Sequence, residues 1–154
     1  MRERKGESKG AGYAPLNILR RSMNKAGCIL INKELKKIGL VYRKKLNDYS
    51  FPKGHLEENE TLSECAVRET TEETGRDCKL ISDKEIGVIE YTNYEGQIKT
   101  YMFLALDKGK TNKKIAEKDK EELVWVNYNE VKSKLSYQNL KDFWNKVKEK
   151  VEKI

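Results

Sequence analysis

The feature that most constrains this chain is a stripe of glutamates on a helix predicted at residues 61–74. Glu69, Glu72 and Glu73 are spaced at i, i+3 and i+4, so a helix points their carboxylates in one direction. The same stripe is apolar over the two turns before Glu69, at Leu62, Cys65 and Ala66, which places it towards a core. Burying unpaired carboxylates is costly, so positive charge must lie opposite them. Three converging oxygens fit a divalent cation better than lysines, and a solvated acidic face is the simpler alternative.

The two ends of this helix carry recognisable stop signals. Thr61 can cap the N-terminus, and Glu64 three residues later completes a capping box. Gly75 suits the left-handed conformation that ends many helices. We therefore expect the helix to stop at Thr74, directly after the last two glutamates of the stripe.

Strands and helices are mixed along the chain, which predicts an α/β fold with helices on the faces of a mixed sheet. Strands are expected at 26–32, 37–45, 86–94, 97–107 and 123–127. The strand at 97–107 is apolar on both faces and should be central. Residues 46–60 are expected to form a long loop. Residues 137–153 have apolar residues at helical spacing and predict a C-terminal amphipathic helix.

Composition limits the possible chemistry. The 154 residues contain one histidine and three cysteines without metal-motif spacing, so a metal would have oxygen ligands, as Mg²⁺ or Mn²⁺ prefers. The odd cysteine count indicates reduced thiols and a cytoplasmic protein. No apolar run is long enough to span a membrane. The formal net charge is +7, and much of it lies near the N-terminus, so we expect a flexible basic tail at 1–15 and one domain at 16–154.

The spacing around the helix resembles the Nudix box of the Nudix hydrolases, a pattern of 23 residues. Its glycine and charged positions are matched by Gly54, Glu60, Arg68, Glu69, Glu72, Glu73 and Gly75. Thr70 and Arg76 stand where bulky aliphatic residues are usual. The resemblance implies a Nudix-type α/β/α sandwich around a central mixed sheet.

The resemblance also implies roles for the box residues. Glu69 and Glu73 would be metal ligands, Glu72 a ligand or the base that activates water, and the Gly54 carbonyl a further ligand. Arg68 would act in one of two ways. It would pair with Glu60 and pin the loop to the helix, or it would orient Glu69 or Glu72.

Residues outside the box complete the expected site. Glu122 or Glu121, on a distant acidic loop, would be an auxiliary ligand or base. The segment around Lys53 is similar to the diadenosine tetraphosphate and diphosphoinositol polyphosphate branches of the family. Lys53 and Arg43 would therefore contact phosphates, and Tyr101 would stack on a base or belong to the core.

These expectations predict a Mg²⁺-dependent pyrophosphohydrolase acting on a nucleoside diphosphate linked to another group. Dinucleoside polyphosphates are the leading substrates. Nucleoside triphosphates, ADP-ribose and RNA 5′ ends are the alternatives. A binding module without catalysis is the rival reading, although three converging carboxylates argue against it. The expected partner is a small nucleotide, nucleic-acid binding by the tail is the lesser expectation, and the oligomeric state stays open.

Overall fold

The computed structural model describes residues 23–154. The predicted tail at 1–15 and the predicted start of the domain at residue 16 lie outside these residues. None of the helices described is long and apolar enough to cross a membrane.

Eight strands and three α-helices make up the described chain. The strands are β1 (Met23–Asn32), β2 (Lys37–Arg43), β3 (Asp48–Ser50), β4 (Lys53–His55), β5 (Arg76–Leu80), β6 (Gly87–Asn93), β7 (Gly96–Lys110) and β8 (Glu122–Asn127). The helices are α1 (Leu62–Thr74), α2 (Val131–Lys134) and α3 (Gln138–Glu152), with 3₁₀ turns at Glu117–Asp119 and Tyr128–Glu130.

All eight strands belong to one mixed sheet with the central order β3-β2-β1-β7-β5. Strands β1 and β7 are parallel, and every other pairing is antiparallel. Strand β4 pairs with β1, β6 with β7, and β8 with β2. Because β7 pairs with β1, β5 and β6, the predicted central position of this strand is confirmed.

Helices cover both faces of the sheet, which confirms the predicted α/β/α sandwich. On one face, α3 buries an apolar stripe against β1, β2 and β7. Its core-facing residues are Leu140, Phe143, Trp144, Val147 and Val151. On the other face, α1 packs through Cys65 and Ala66 on a smaller cluster from β1 and β7. The predicted C-terminal amphipathic helix is therefore confirmed.

The expected loop at 46–60 was wrong in part, because it contains strands β3 and β4. Strand β4 fits against β1 because Gly27 has no side chain. A Cβ at that position would lie 2.1 Å from the Pro52 carbonyl oxygen. Strand β5 was also missed, since only its pairing with β7 makes the polar segment Arg76–Leu80 extended.

Candidate active site

Helix α1 is held at both ends as its sequence predicts. The Thr61 side chain accepts from the Glu64 N–H at 3.1 Å, and the Thr61 N–H donates to the Glu64 carboxylate at 2.9 Å. At the other end Gly75 has φ +72°, and its N–H donates to the Thr71 carbonyl at 2.9 Å. These caps satisfy backbone groups that the ends would otherwise leave unpaired. The register of the acidic stripe is fixed as a result.

Arg68 makes both of the contacts that the sequence left as alternatives. Its Nε and Nη2 donate to the two oxygens of Glu60 at 2.6 and 2.9 Å. Its Nη1 donates to Glu69 and to Glu72, each at 3.1 Å, and Nη2 also reaches the His55 carbonyl at 3.0 Å. The hydrogen bond from Arg68 is the main reason that the pKa of Glu60 is lowered. One guanidinium thus ties the loop to α1 and orients two of the three glutamates.

Gly54 and Glu69 approach each other so closely that a side chain at position 54 would displace the Glu69 carboxylate. A Cβ there would lie 2.1 Å from the Glu69 Cδ and 2.2 Å from Oε2. The backbone of β4 therefore lies directly against the carboxylate. Burial raises the pKa of Glu69 despite the nearby Arg68, so this carboxylate is short of compensating positive charge.

Glu73 lies at the end of α1 and is held by the backbone of β4. Its Oε1 accepts from the Lys53 N–H at 3.0 Å. Burial raises its pKa to about 8, and this effect exceeds the opposing hydrogen bond and charge of Lys53. Within residues 23–154 no basic side chain pairs with Glu73. The surrounding groups among the described residues therefore only partly compensate a negative charge on Glu73.

Within residues 23–154, no group of three or more Asp, Glu, His or Cys side chains is arranged so that it could hold a metal ion. The carboxylates of α1 therefore do not form a closed metal site. Glu69 and Glu72 turn to Arg68, whereas Glu73 faces the backbone of Lys53. The donors nevertheless fit a hard divalent cation, because all of them are oxygens and burial raises the pKa of two. The ligand roles of Glu69, Glu72, Glu73 and Gly54 stay predictions.

Of the two auxiliary acids, the structure brings only Glu121 to the site. Its backbone N–H donates to the Glu73 carbonyl at 3.0 Å, and its charge contributes to the raised pKa of Glu73. Glu122 is exposed and pairs with Tyr42 in the sheet. Asp119 on the same loop raises the pKa of Glu69. The sequence shows that Asp119 is acidic, but it does not show how close Asp119 lies to α1.

A cationic pocket of about 320 Å³ lies on the α3 side of the sheet, and Lys53 of β4 is the residue that connects it to Glu73. Its lining includes Lys25, Arg43, Lys53, Tyr91, Asn93 and Tyr137. The Lys53 ammonium donates to the Ser50 hydroxyl at 2.7 Å. Burial, assisted by the charge of Arg43, lowers the pKa of Lys53 to about 8. The two predicted phosphate-binding residues, Arg43 and Lys53, are therefore brought together in one pocket.

Tyr101 is not part of this pocket. It packs against the cluster beneath α1, whereas its neighbour Met102 belongs to the core beneath α3. Successive side chains of a strand point to opposite faces, so Tyr101 lies on the far side of the sheet. Tyr91 and Tyr137 supply the aromatic lining instead. Alternation along β6 could have indicated Tyr91, but nothing local distinguished Tyr137.

Comparison with known proteins gives the family. The model of the NUDIX domain matches residues 21–147, which is most of the chain. The chain belongs to the NUDIX family. This match includes α1, the loop that carries Glu121 and the first part of α3, so the family likeness extends well beyond the box.

Two curated relatives are similar in sequence to parts of this NUDIX chain. The m7GpppN-mRNA hydrolase dcap-2 of Caenorhabditis elegans is 36% identical over 78 residues, 49% of this chain and 10% of the relative. The 8-oxo-(d)GTP phosphatase of Mycolicibacterium smegmatis is 30% identical over 100 residues, 65% of this chain and 30% of the relative. The chain thus matches less than a third of either relative's length.

Solved structures show the same fold. The C. elegans Ap4A hydrolase binary complex superposes with a TM-score of 0.68 at 16% identity, covering 86% of this chain and 99% of that one. A NUDIX hydrolase from Nitrosomonas europaea superposes with a TM-score of 0.65 at 17% identity, covering 79% and 85%. At these identities the likeness establishes the architecture only.

Proposed function

We propose that this NUDIX protein is a Mg²⁺-dependent pyrophosphohydrolase that cleaves a phosphoanhydride bond in a nucleoside diphosphate linked to another group. One observation carries the proposal. The three-residue strand β4 joins the acidic helix to the cationic pocket, because the Lys53 N–H contacts Glu73 while the Lys53 side chain lines the pocket. A polyphosphate in the pocket would therefore run towards the carboxylates of α1.

The chain's own residues account for the chemistry that such a reaction needs. Glu69 and Glu73, with the Gly54 carbonyl, would hold Mg²⁺ or its substitute Mn²⁺, which offsets phosphate charge and lowers the pKa of an attacking water. Glu72 would accept the proton of that water, and Arg68 would orient the carboxylates of Glu69 and Glu72. Glu121 is the alternative proton acceptor on the loop that docks on α1.

The substrate we favour is a dinucleoside polyphosphate. Lys25, Arg43 and Lys53 converge on one pocket, and a chain of phosphates supplies the repeated negative charge that three cations need. Tyr91 and Tyr137 offer apolar faces for a nucleobase. The names of the relatives point to other substrates as well, namely an mRNA cap and 8-oxo-(d)GTP, and ADP-ribose remains a fourth class to compare.

A turnover assay with a matched control tests the reaction. The panel contains diadenosine tetraphosphate, ADP-ribose, nucleoside triphosphates and capped RNA, with Mg²⁺ and with EDTA. Glu69→Gln and Glu73→Gln should each lower kcat by about 10²-fold, the scale of losing one electrostatic stabiliser. Glu58→Gln changes an exposed glutamate of the same box and should leave kcat unchanged. Activity near wild type in the first two variants, or no turnover of any substrate, contradicts the proposal.

The choice among substrates has its own test. Lys53→Ala should lower kcat/KM for diadenosine tetraphosphate more than for a nucleoside triphosphate, because a longer phosphate chain uses more of the cationic pocket. Tyr91→Ala should raise KM, whereas Tyr101→Ala, beneath α1, serves as the comparison. A clear preference for ADP-ribose or a triphosphate would refute this substrate assignment and leave the metal chemistry untouched.

A further inference from the structure

One buried carboxylate joins two walls of the cationic pocket. Asp48, on β3, is 3% exposed. It accepts hydrogen bonds from the Nε and Nη2 of Arg43 at 2.8 and 2.7 Å and from the hydroxyl of Tyr137. Arg43 ends β2, Tyr137 directly precedes α3, and both line the pocket. Asp48 itself is not among the lining residues, so it would act through its two partners.

The strand that carries Asp48 is fastened to the segment before α3. The Tyr49 N–H donates to the Ser136 hydroxyl at 2.8 Å, and the Ser136 N–H donates to the Tyr49 carbonyl at 3.2 Å. The Lys134 ammonium lies 4.5 Å from the centroid of the Tyr49 ring. These contacts fix β3 and the start of α3 relative to each other, and Asp48 is therefore a fixed point between them.

The geometry of the ion pair leaves Arg43 free to bind an anion. A guanidinium carries five N–H donors in a planar fork, and Asp48 engages only its Nε and Nη2. Within residues 23–154 the N–H groups of Nη1 have no hydrogen-bond partner, so they can donate to a phosphate oxygen. Burial opposes ionisation of Asp48, but hydrogen bonds from Arg43 and Tyr137 outweigh it and hold the pKa of Asp48 below its usual value. The carboxylate is therefore charged at neutral pH.

We propose that Asp48 is a positioning residue for polyphosphate binding, which holds the Arg43 guanidinium and the Tyr137 ring in their places on the pocket wall. The inference rests on the proposed function only in taking a polyphosphate as the ligand. The proposal predicts a change in anion affinity that is opposite to the one a simple effect of charge would cause. Removing a negative charge beside an anion site should strengthen anion binding by Coulomb attraction, whereas loss of positioning should weaken it.

Calorimetric titration with inorganic tripolyphosphate in EDTA separates these two effects without any need for turnover. We expect Asp48→Asn to raise Kd about tenfold or more, the scale of breaking a hydrogen-bonded charge pair at a binding site. Asp107→Asn is the matched control, because Arg76 and Asp107 form the same two-bond pair at 2.9 and 2.7 Å outside this pocket. It should leave Kd within about twofold of wild type. Unchanged or tighter binding by Asp48→Asn overturns the proposal.

Arg43→Lys keeps the charge of the pocket wall but cannot make the two-bond contact. We expect its Kd to rise about fivefold, and Asp48→Asn should add less than about twofold in that background, because the two residues act as one unit. Thermal unfolding identifies variants that do not fold. If Asp48→Asn is one of them, wild-type affinity in Arg43→Lys overturns the proposal. Wild-type protein that binds tripolyphosphate but hydrolyses no nucleotide refutes the proposed function alone.

Discussion

Gly54→Ala should separate the proposed ligand role of Glu69 from its part in folding. The added Cβ would lie 2.1 Å from the Glu69 Cδ and 2.2 and 2.4 Å from its two oxygens. Ordinary contact begins at 3.4 Å, so the carboxylate must retreat by about 1 Å, a displacement that can cost about 10²-fold in rate when a catalytic group is misplaced. We therefore expect kcat to fall by about that factor.

The effect on stability should be small. The atoms that must move are the far end of a flexible side chain, and Gly54 does not have the positive φ that would strain an alanine. Glu69 would lose its hydrogen bond from Arg68, at 3.1 Å, which is worth about 1 kcal/mol at a partly exposed site. Arg68 would keep its two bonds to Glu60. The melting temperature should fall by only a few degrees.

Gly87→Ala is a control with the opposite outcome. Its Cβ would lie 2.8 Å from Cε1 of Phe143 in the core, so it should lower the melting temperature and leave kcat intact. The assay is steady-state hydrolysis of diadenosine tetraphosphate at saturating Mg²⁺, together with thermal unfolding. Gly54→Ala should add little in a Glu69→Gln background, because both changes act on one carboxylate. A folded Gly54→Ala variant with kcat within about threefold of wild type refutes the reasoning.

Three further predictions concern α1 and its surroundings. Thr61→Ala removes the capping acceptor and should cost about 1 kcal/mol in urea unfolding; an unchanged midpoint would contradict the cap. Arg76→Leu restores the usual aliphatic but, within the described residues, leaves the largely buried carboxylate of Asp107 with the Gly109 N–H as its one remaining donor, so it should destabilise by about 2 kcal/mol, and Arg76→Leu with Asp107→Leu should recover much of this loss. In EDTA the free energy of unfolding should fall as the pH rises from 4.5 towards 8, because folded Glu73 retains a proton that the unfolded chain releases. Glu73→Gln should reduce that slope, and an unchanged slope would show that Glu73 is not its source.

The elements that the sequence predicted well are those whose signals are local. Helix α1 begins and ends where Thr61 and Gly75 predict, because each cap satisfies backbone groups within a few residues. The apolar spacing of α3 likewise lies within its own segment. Such elements need no knowledge of the partner strand, and their boundaries therefore followed from the sequence.

The elements that were missed depend on residues far away in the sequence. Strand β4 exists because Gly27 lets it lie close to β1, and neither segment alone shows this. Tyr101 was ambiguous between pocket and core because alternation along β7 shows which residues share a face, but not which face carries the ligand. Tyr137 and Asp48 are 89 residues apart, so their contact was not predictable from local pattern.

The two alternative roles of Arg68 are compatible, because one guanidinium can make both sets of contacts. A guanidinium has five donors, which is enough to bind Glu60 with two atoms and still reach two other carboxylates. The structure uses this capacity fully, with Glu69 and Glu72 both 3.1 Å from Nη1. A lysine at this position would offer one nitrogen and could not tie the loop to the helix while orienting both acids.

Strand β4 explains why a helix with this much negative charge can pack against a sheet. Its three residues face the helix with different groups: Lys53 gives Glu73 a backbone N–H, Gly54 leaves room for Glu69, and His55 gives Arg68 a carbonyl oxygen. The Lys53 side chain turns the other way, into the pocket. The N–H that holds Glu73 and the cation that would bind phosphate therefore belong to one residue, Lys53. A shift of β4 by one residue would turn the Lys53 side chain to the other face of the sheet, so the pairing of Lys53 with Gly27 sets both contacts.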